Sequence, residues 1–182
     1  MENIQLSLKE RLSLVLQYRI LQKLSQDSSD YLDYENKINA LLNGFELHYN
    51  DLFEEFSEET LSTEECRKVL DILEMYRGII FSFLRISKES SSIKLKEDDV
   101  RFPGFDGNNE TKYWSYAKYF IEDLERYDEI KQFSKGDYNS HTKTLERYFN
   151  MLSSWNKLQP EDRYCMTESQ IEELLKLGRW LF

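Results

Sequence analysis

The residue types best suited to chemistry cluster in the middle of the chain. The stretch Arg101, Gly104, Phe105 and Asp106 is expected to meet Glu74, Tyr76 and Arg77 of an apolar helix, with Tyr113, Arg126 and Tyr127 close behind. Guanidinium groups offer paired N–H donors in one plane, and each phenol adds a single donor. A groove built from Arg77, Arg101, Arg126, Tyr113 and Tyr127 would therefore suit a small anion or the carboxylate of a partner peptide. A plainer account of the same residues carries more weight. Asp106 serves as a helix N-cap, Gly104 as a turn residue and Phe105 as a core plug, while Arg126 pairs with Glu74.

No familiar catalytic frame is present. The chain lacks His-Glu-x-x-His, Gly-x-x-x-x-Gly-Lys-Ser/Thr, Gly-x-Gly-x-x-Gly and Gly-x-Ser-x-Gly. Carboxylate di-iron bundles need Glu-x-x-His pairs, and neither His48 nor His141 has a carboxylate three residues before it. Cys66 and Cys165 have no Cys-x-x-Cys spacing and read as reduced packing residues. No metal, cofactor or catalytic residue is expected. Among 182 residues, 34 acidic against 24 basic give a net charge of -10, a field that repels phosphates and anionic membranes. Tyr113, Trp114, Tyr116, Tyr119 and Phe120 would stack on bases only beside a basic groove, and Lys112, Lys118 and Arg126 do not make one, so a nucleic-acid partner is not expected.

These side chains need elements to position them, and the elements read as helices. Hydrophobic residues at 40% with only 6 Gly and 2 Pro indicate one folded all-α domain, residues 1–182, of about six to eight helices. Ser7-Leu8-Lys9-Glu10 is a capping box opening a helix to about Leu24, with Leu8, Leu12, Val15, Leu16 and Leu24 on its apolar side. A second helix runs from about Asp30 to Asn43 and stops at Gly44, and a short third covers about 46–56. Ser62-Thr63-Glu64-Glu65 opens the central buried helix, about 63–87, whose Gly78 implies a close neighbour or a kink. Residues 88–100 read as a mobile segment. Beyond the 102–105 loop, Asp106 caps a helix over about 107–126. Ser140 caps another through about Lys157, ended by Pro160. A Thr167 box opens a last helix reaching Leu177 before Gly178. Leu73, Tyr76, Ile80, Phe120, Leu152 and Trp155 are the expected core.

Several stretches together resemble the YfbU family. They are Arg11-Leu12 with Gln17-Tyr18-Arg19, Glu65-Cys66-Arg67 leading to Asp71-Ile72-Leu73-Glu74-Met75-Tyr76, Phe102-Pro103-Gly104-Phe105-Asp106 with Tyr113, Glu125-Arg126-Tyr127, and Met151-Leu152 with Trp155. The resemblance implies a helical domain of the bacterial cytoplasm and brings no active site with it. The chain departs from the family pattern in a longer, serine-rich stretch at 88–99 and in the tail at 179–182.

The sequence points to an interaction or regulatory module without catalytic activity; the alternative is a small-anion binder or enzyme using the arginine and tyrosine groove near 101–106. Met1-Glu2-Asn3-Ile4-Gln5 has no basic leader and no run approaches the about 20 apolar residues of a membrane span, so a cytoplasmic protein is expected. Twelve Tyr, 11 Phe and 3 Trp exceed what one domain of this size covers. A homo-oligomer, most simply a dimer, is the expected consequence, with Trp114, Trp180 and Phe182 at or near its interface and another cytosolic protein as the further possible partner.

Overall fold

In the computed structural model, residues 4–57, 59–90, 92–134 and 136–178 are described. Among them lie eight α-helices and no sheet, with one isolated bridge between Phe105 and Asn139. The chain divides into two compact units, residues 1–58 and 59–182.

The first unit is a helical hairpin, α1 (Leu8–Leu24) on α2 (Ser28–Asn43), followed by two 3₁₀ turns, Glu46–His48 and Asn50–Phe53. The Ser7 capping box forms: Ser7 N–H donates to Glu10 Oε2 at 2.8 Å and Glu10 N–H to Ser7 Oγ at 3.4 Å. Asp27 caps α2 by accepting from Ser29 N–H at 2.8 Å. Gly44, at φ 69°, ends α2 in the left-handed conformation that a side chain disfavours. The expected helix over 46–56 is instead two short 3₁₀ turns. The core here is small, made of Val15, Ile38, Leu41 and Tyr49. Of Leu8, Leu12, Val15, Leu16 and Leu24, read from sequence as the apolar side of α1, only Val15 is buried and the four leucines are exposed. Inward packing falls to Leu14, Val15 and Tyr18, so α1 is apolar on two faces.

The second unit is organised around α3 (Thr63–Glu89), whose Ser62–Glu65 capping box also forms. Val69, Ile72, Leu73, Met75, Tyr76, Ile79, Ile80 and Phe83 of α3 are all buried, which makes it the central helix expected. Around it lie α4 (Glu97–Val100), α5 (Thr111–Lys118), α6 (Asp128–Phe133), α7 (Leu145–Trp155) and α8 (Glu168–Gly178). At Gly78 a Cβ would stand 2.1 Å from the Trp155 ring and 2.5 Å from the Arg163 carbonyl, so close approach explains the glycine. Of the expected core, Leu73, Tyr76, Ile80, Leu152 and Trp155 are buried and Phe120 is half-buried.

Helix boundaries after residue 105 differ from the sequence expectation. Asp106 caps a turn, accepting from Asn108 N–H at 2.9 Å and Asn109 N–H at 3.3 Å, and α5 starts only at Thr111. The helix then loosens into a π-helical turn, Tyr119–Asp123, and breaks where Glu125 and Tyr127 take positive φ. A separate α6 follows. Nor does Ser140 cap α7. That role passes to Glu110, a residue distant in sequence, whose buried carboxylate accepts from the N–H groups of Thr144 at 2.8 Å and Leu145 at 3.0 Å. Backbone donors at a buried helix start need a partner from somewhere, and here it arrives from the α5 side. On α8, Glu168 Oε1 accepts from Lys94 N–H at 2.6 Å and Leu95 N–H at 3.1 Å, fastening the stretch before α4.

Candidate functional site

The α3 face around Glu74 gathers polar side chains from three elements of the second unit. Glu74 is half-exposed on α3 between the buried Leu73 and Met75, and its carboxylate takes its hydrogen-bond partners from neighbouring elements. Tyr127 donates its hydroxyl to Glu74 Oε2 at 2.8 Å, and Tyr164, from the 3₁₀ turn Asp162–Tyr164, donates to Oε1. Arg77, one turn along, forms an ion pair with Glu129 of α6 at 2.8 Å and reaches Glu74 at 3.9 Å. Its guanidinium lies 5.2 Å over the Tyr127 ring and 5.5 Å over Phe81. Tyr127 stands immediately before α6 in the left-handed conformation, φ 58°, with its hydroxyl on Glu74 of α3.

The electrostatics of this cluster favour donation. Burial, and then the bond to Glu74, pushes the Tyr164 hydroxyl up to about 12, and the same causes in the same order raise Tyr127 further. Both stay protonated at neutral pH and give their hydrogens to one carboxylate.

The other sequence-derived candidates fall elsewhere. Tyr113 donates to Glu65 Oε1 at 2.9 Å, beside Lys112, whose ammonium stands 2.7 Å from the same oxygen. Lys112 is the main reason that the Glu65 carboxyl is held down to about 2, with the Ser62 capping bonds next. Arg101 pairs with Asp98 and borders a cavity of about 290 Å³ that also touches Phe102, Asp137 and His141. Asp106 is buried, and the donors from Asn108 and Asn109 lower its carboxyl. Arg126 is exposed and makes no ion pair with Glu74. The structure thus unites Arg77 with Tyr127 and leaves Arg101, Asp106, Tyr113 and Arg126 in separate surroundings.

Trp114 is half-buried against the core and donates its indole N–H to the Asp137 carbonyl at 2.7 Å. Trp180 and Phe182 lie outside the described residues. Behind the 102–105 loop, Tyr76, Phe102, Phe105 and Tyr148 pack ring to ring at 5.1 to 5.9 Å, and the Tyr148 hydroxyl donates to the Gly104 carbonyl at 2.6 Å. The Phe-Pro-Gly-Phe sequence is therefore a plug in an aromatic core. Sequence reading missed Glu110, Glu129 and Tyr164. Only Glu110 left a trace, its four-residue spacing from Asp106, whose N–H donates to Glu110 Oε2 at 3.0 Å.

Among the described residues, no His, Cys, Asp and Glu side chains group as metal ligands, and no helix is long and apolar enough to cross a membrane. The family model of the YfbU domain matches residues 4–176. The chain is also similar to UPF0304 protein MJECS11 of Methanocaldococcus jannaschii, at 30% identity over 172 residues, which cover 93% of this chain and 98% of that protein.

Proposed function

The chain belongs to the YfbU family, and on that footing we propose that it is a protein-interaction or regulatory module that works by self-association, as a dimer, and not by catalysis. One contrast supports this reading. Four of the five candidate arginine and tyrosine side chains serve the chain's own carboxylates: Arg77 with Glu129, Tyr113 with Glu65, Tyr127 with Glu74 and Arg101 with Asp98. A ligand would have to displace those partners. Meanwhile large apolar side chains stand unoccupied elsewhere: of eighteen exposed ones among the described residues, thirteen lie in the first unit. Exposed apolar surface of that density marks a site for another protein.

A thermal-shift screen with phosphates, nucleotides and small carboxylates tests the reading. A ligand present at about 100 times its dissociation constant stabilises its protein by about 2.7 kcal/mol. The module should melt unchanged with every compound. Reproducible stabilisation that disappears in Arg77→Ala or Arg101→Ala would return the groove to first place.

A further inference from the structure

We infer that the outer face of α1 is the association surface, and that its occupant is α1 of a second copy of this chain, laid antiparallel about a two-fold axis at Leu16. This rests on the interaction-module reading and names its partner and surface. Leu8, Leu12, Leu16, Ile20 and Leu24 are spaced by four residues and are 74%, 59%, 51%, 60% and 72% exposed. An isolated surface leucine is ordinary; an unbroken row over a whole helix is not. Rotating α1 would not hide the row, because Leu14, Val15 and Tyr18 already use the opposite face against α2 and the turns.

Three features select a second copy. Rows spaced by four are the ridges of the commonest helix-to-helix packing, in which each helix lays its ridge in a groove of the other, so one α1 offers both halves of the contact to a second α1. The row's spacing is symmetric about Leu16: in an antiparallel copy Leu12 of one chain lies beside Ile20 of the other across Leu16, while Leu8 and Leu24, turned about 80° to either side of Leu16, form the rim, with the helix dipoles opposed. The area suffices. The row exposes on the order of 500 Å² per copy, so a contact centred on Leu12, Leu16 and Ile20 with Leu8 and Leu24 at its rim covers up to ~1,000 Å² over two copies, the small end of specific interfaces.

The test uses the full chain. At about 100 μM, sedimentation equilibrium should give twice the monomer mass of 22.0 kDa. Leu16→Glu, which places a carboxylate on the axis twice, should raise the dimer dissociation constant by about 100-fold without moving the melting temperature of the chain diluted to monomer, while Leu124→Glu, at an exposed apolar position of the second unit, should leave the dissociation constant unchanged. With Cys66 and Cys165 replaced by serine, Leu16→Cys should form a disulfide-linked dimer under mild oxidation. A monomeric wild type, including one that gathers only on anionic vesicles, overturns the inference. So does a dimer indifferent to Leu16→Glu, which would leave the interaction reading standing; a stabilising small ligand would instead remove that reading whatever the mass.

Discussion

Gly78 and Glu65 show how single residues set the second unit. At Gly78 the missing methyl is what lets the Trp155 ring and the Arg163 carbonyl lie against α3, since a Cβ would stand 2.1 Å and 2.5 Å from them. Gly78→Ala gains about 1 kcal/mol of helix propensity but forces the ring or the backbone aside, an overpacking cost of about 1 to 3 kcal/mol. Denaturant unfolding should therefore show net destabilisation, and a more stable variant would deny the close approach. Glu65 combines the α3 cap with Lys112 and Tyr113, and its carboxyl is held down to about 2 against an ordinary 4.5. A depressed carboxyl pKa favours the fold above the unfolded value and loses that contribution as pH falls from about 4.5 towards 2. A carboxyl ¹³C titration should place the Glu65 midpoint near 2, and Lys112→Ala should raise it. A wild-type midpoint near 4.5 would show that the Lys112 contact is absent in solution.

At the scale of elements, what was legible in the sequence was whatever local bonds decide. Ser7 with Glu10, Ser62 with Glu65 and Thr167 with Gln170 each announced a helix start, and each box is present. Gly44 likewise announced the end of α2. The span 106–145 was misread because its boundaries come from distant partners. Glu110 Oε1 meets the first N–H groups of α7 while Oε2 accepts from Asp106 N–H at 3.0 Å and Thr144 Oγ1 at 2.9 Å, so one carboxylate fixes two element starts. Glu110→Ala leaves those buried donors unpaired, at about 1 to 3 kcal/mol per group. Amide exchange at Thr144 and Leu145 should accelerate in that variant well before exchange in α3 does. Uniform acceleration across the unit would mean that Glu110 supports the whole fold and not this junction. The candidate site was only partly legible for the same reason. Arg77 and Tyr127 were identifiable by type, but Glu129 and Tyr164 reach Arg77 and Glu74 only through the fold. In α1 periodicity gave the helix and mistook its inward face, since both faces are apolar and one sequence cannot say which meets α2.

At the scale of the whole molecule, association has to work against charge. Two chains of net charge -10 repel each other, and an antiparallel α1 pair also brings Lys9 near Lys23 of the other copy. Salt screens such repulsion within roughly 8 to 10 Å at physiological strength while leaving apolar burial in place. The dimer should consequently tighten between low and high salt, whereas an association driven by opposite charges would loosen. The most direct measurement is lysine cross-linking in a mixture of ¹⁴N- and ¹⁵N-labelled full-length chains, read by mass spectrometry for links between differently labelled copies. Links from Lys9 of one copy to Lys23 of another should dominate and should vanish with Leu16→Glu. Links between copies confined to Lys112, Lys118 and Lys131 of the second unit, or no links between copies at all, would contradict the assignment of α1 as the working surface.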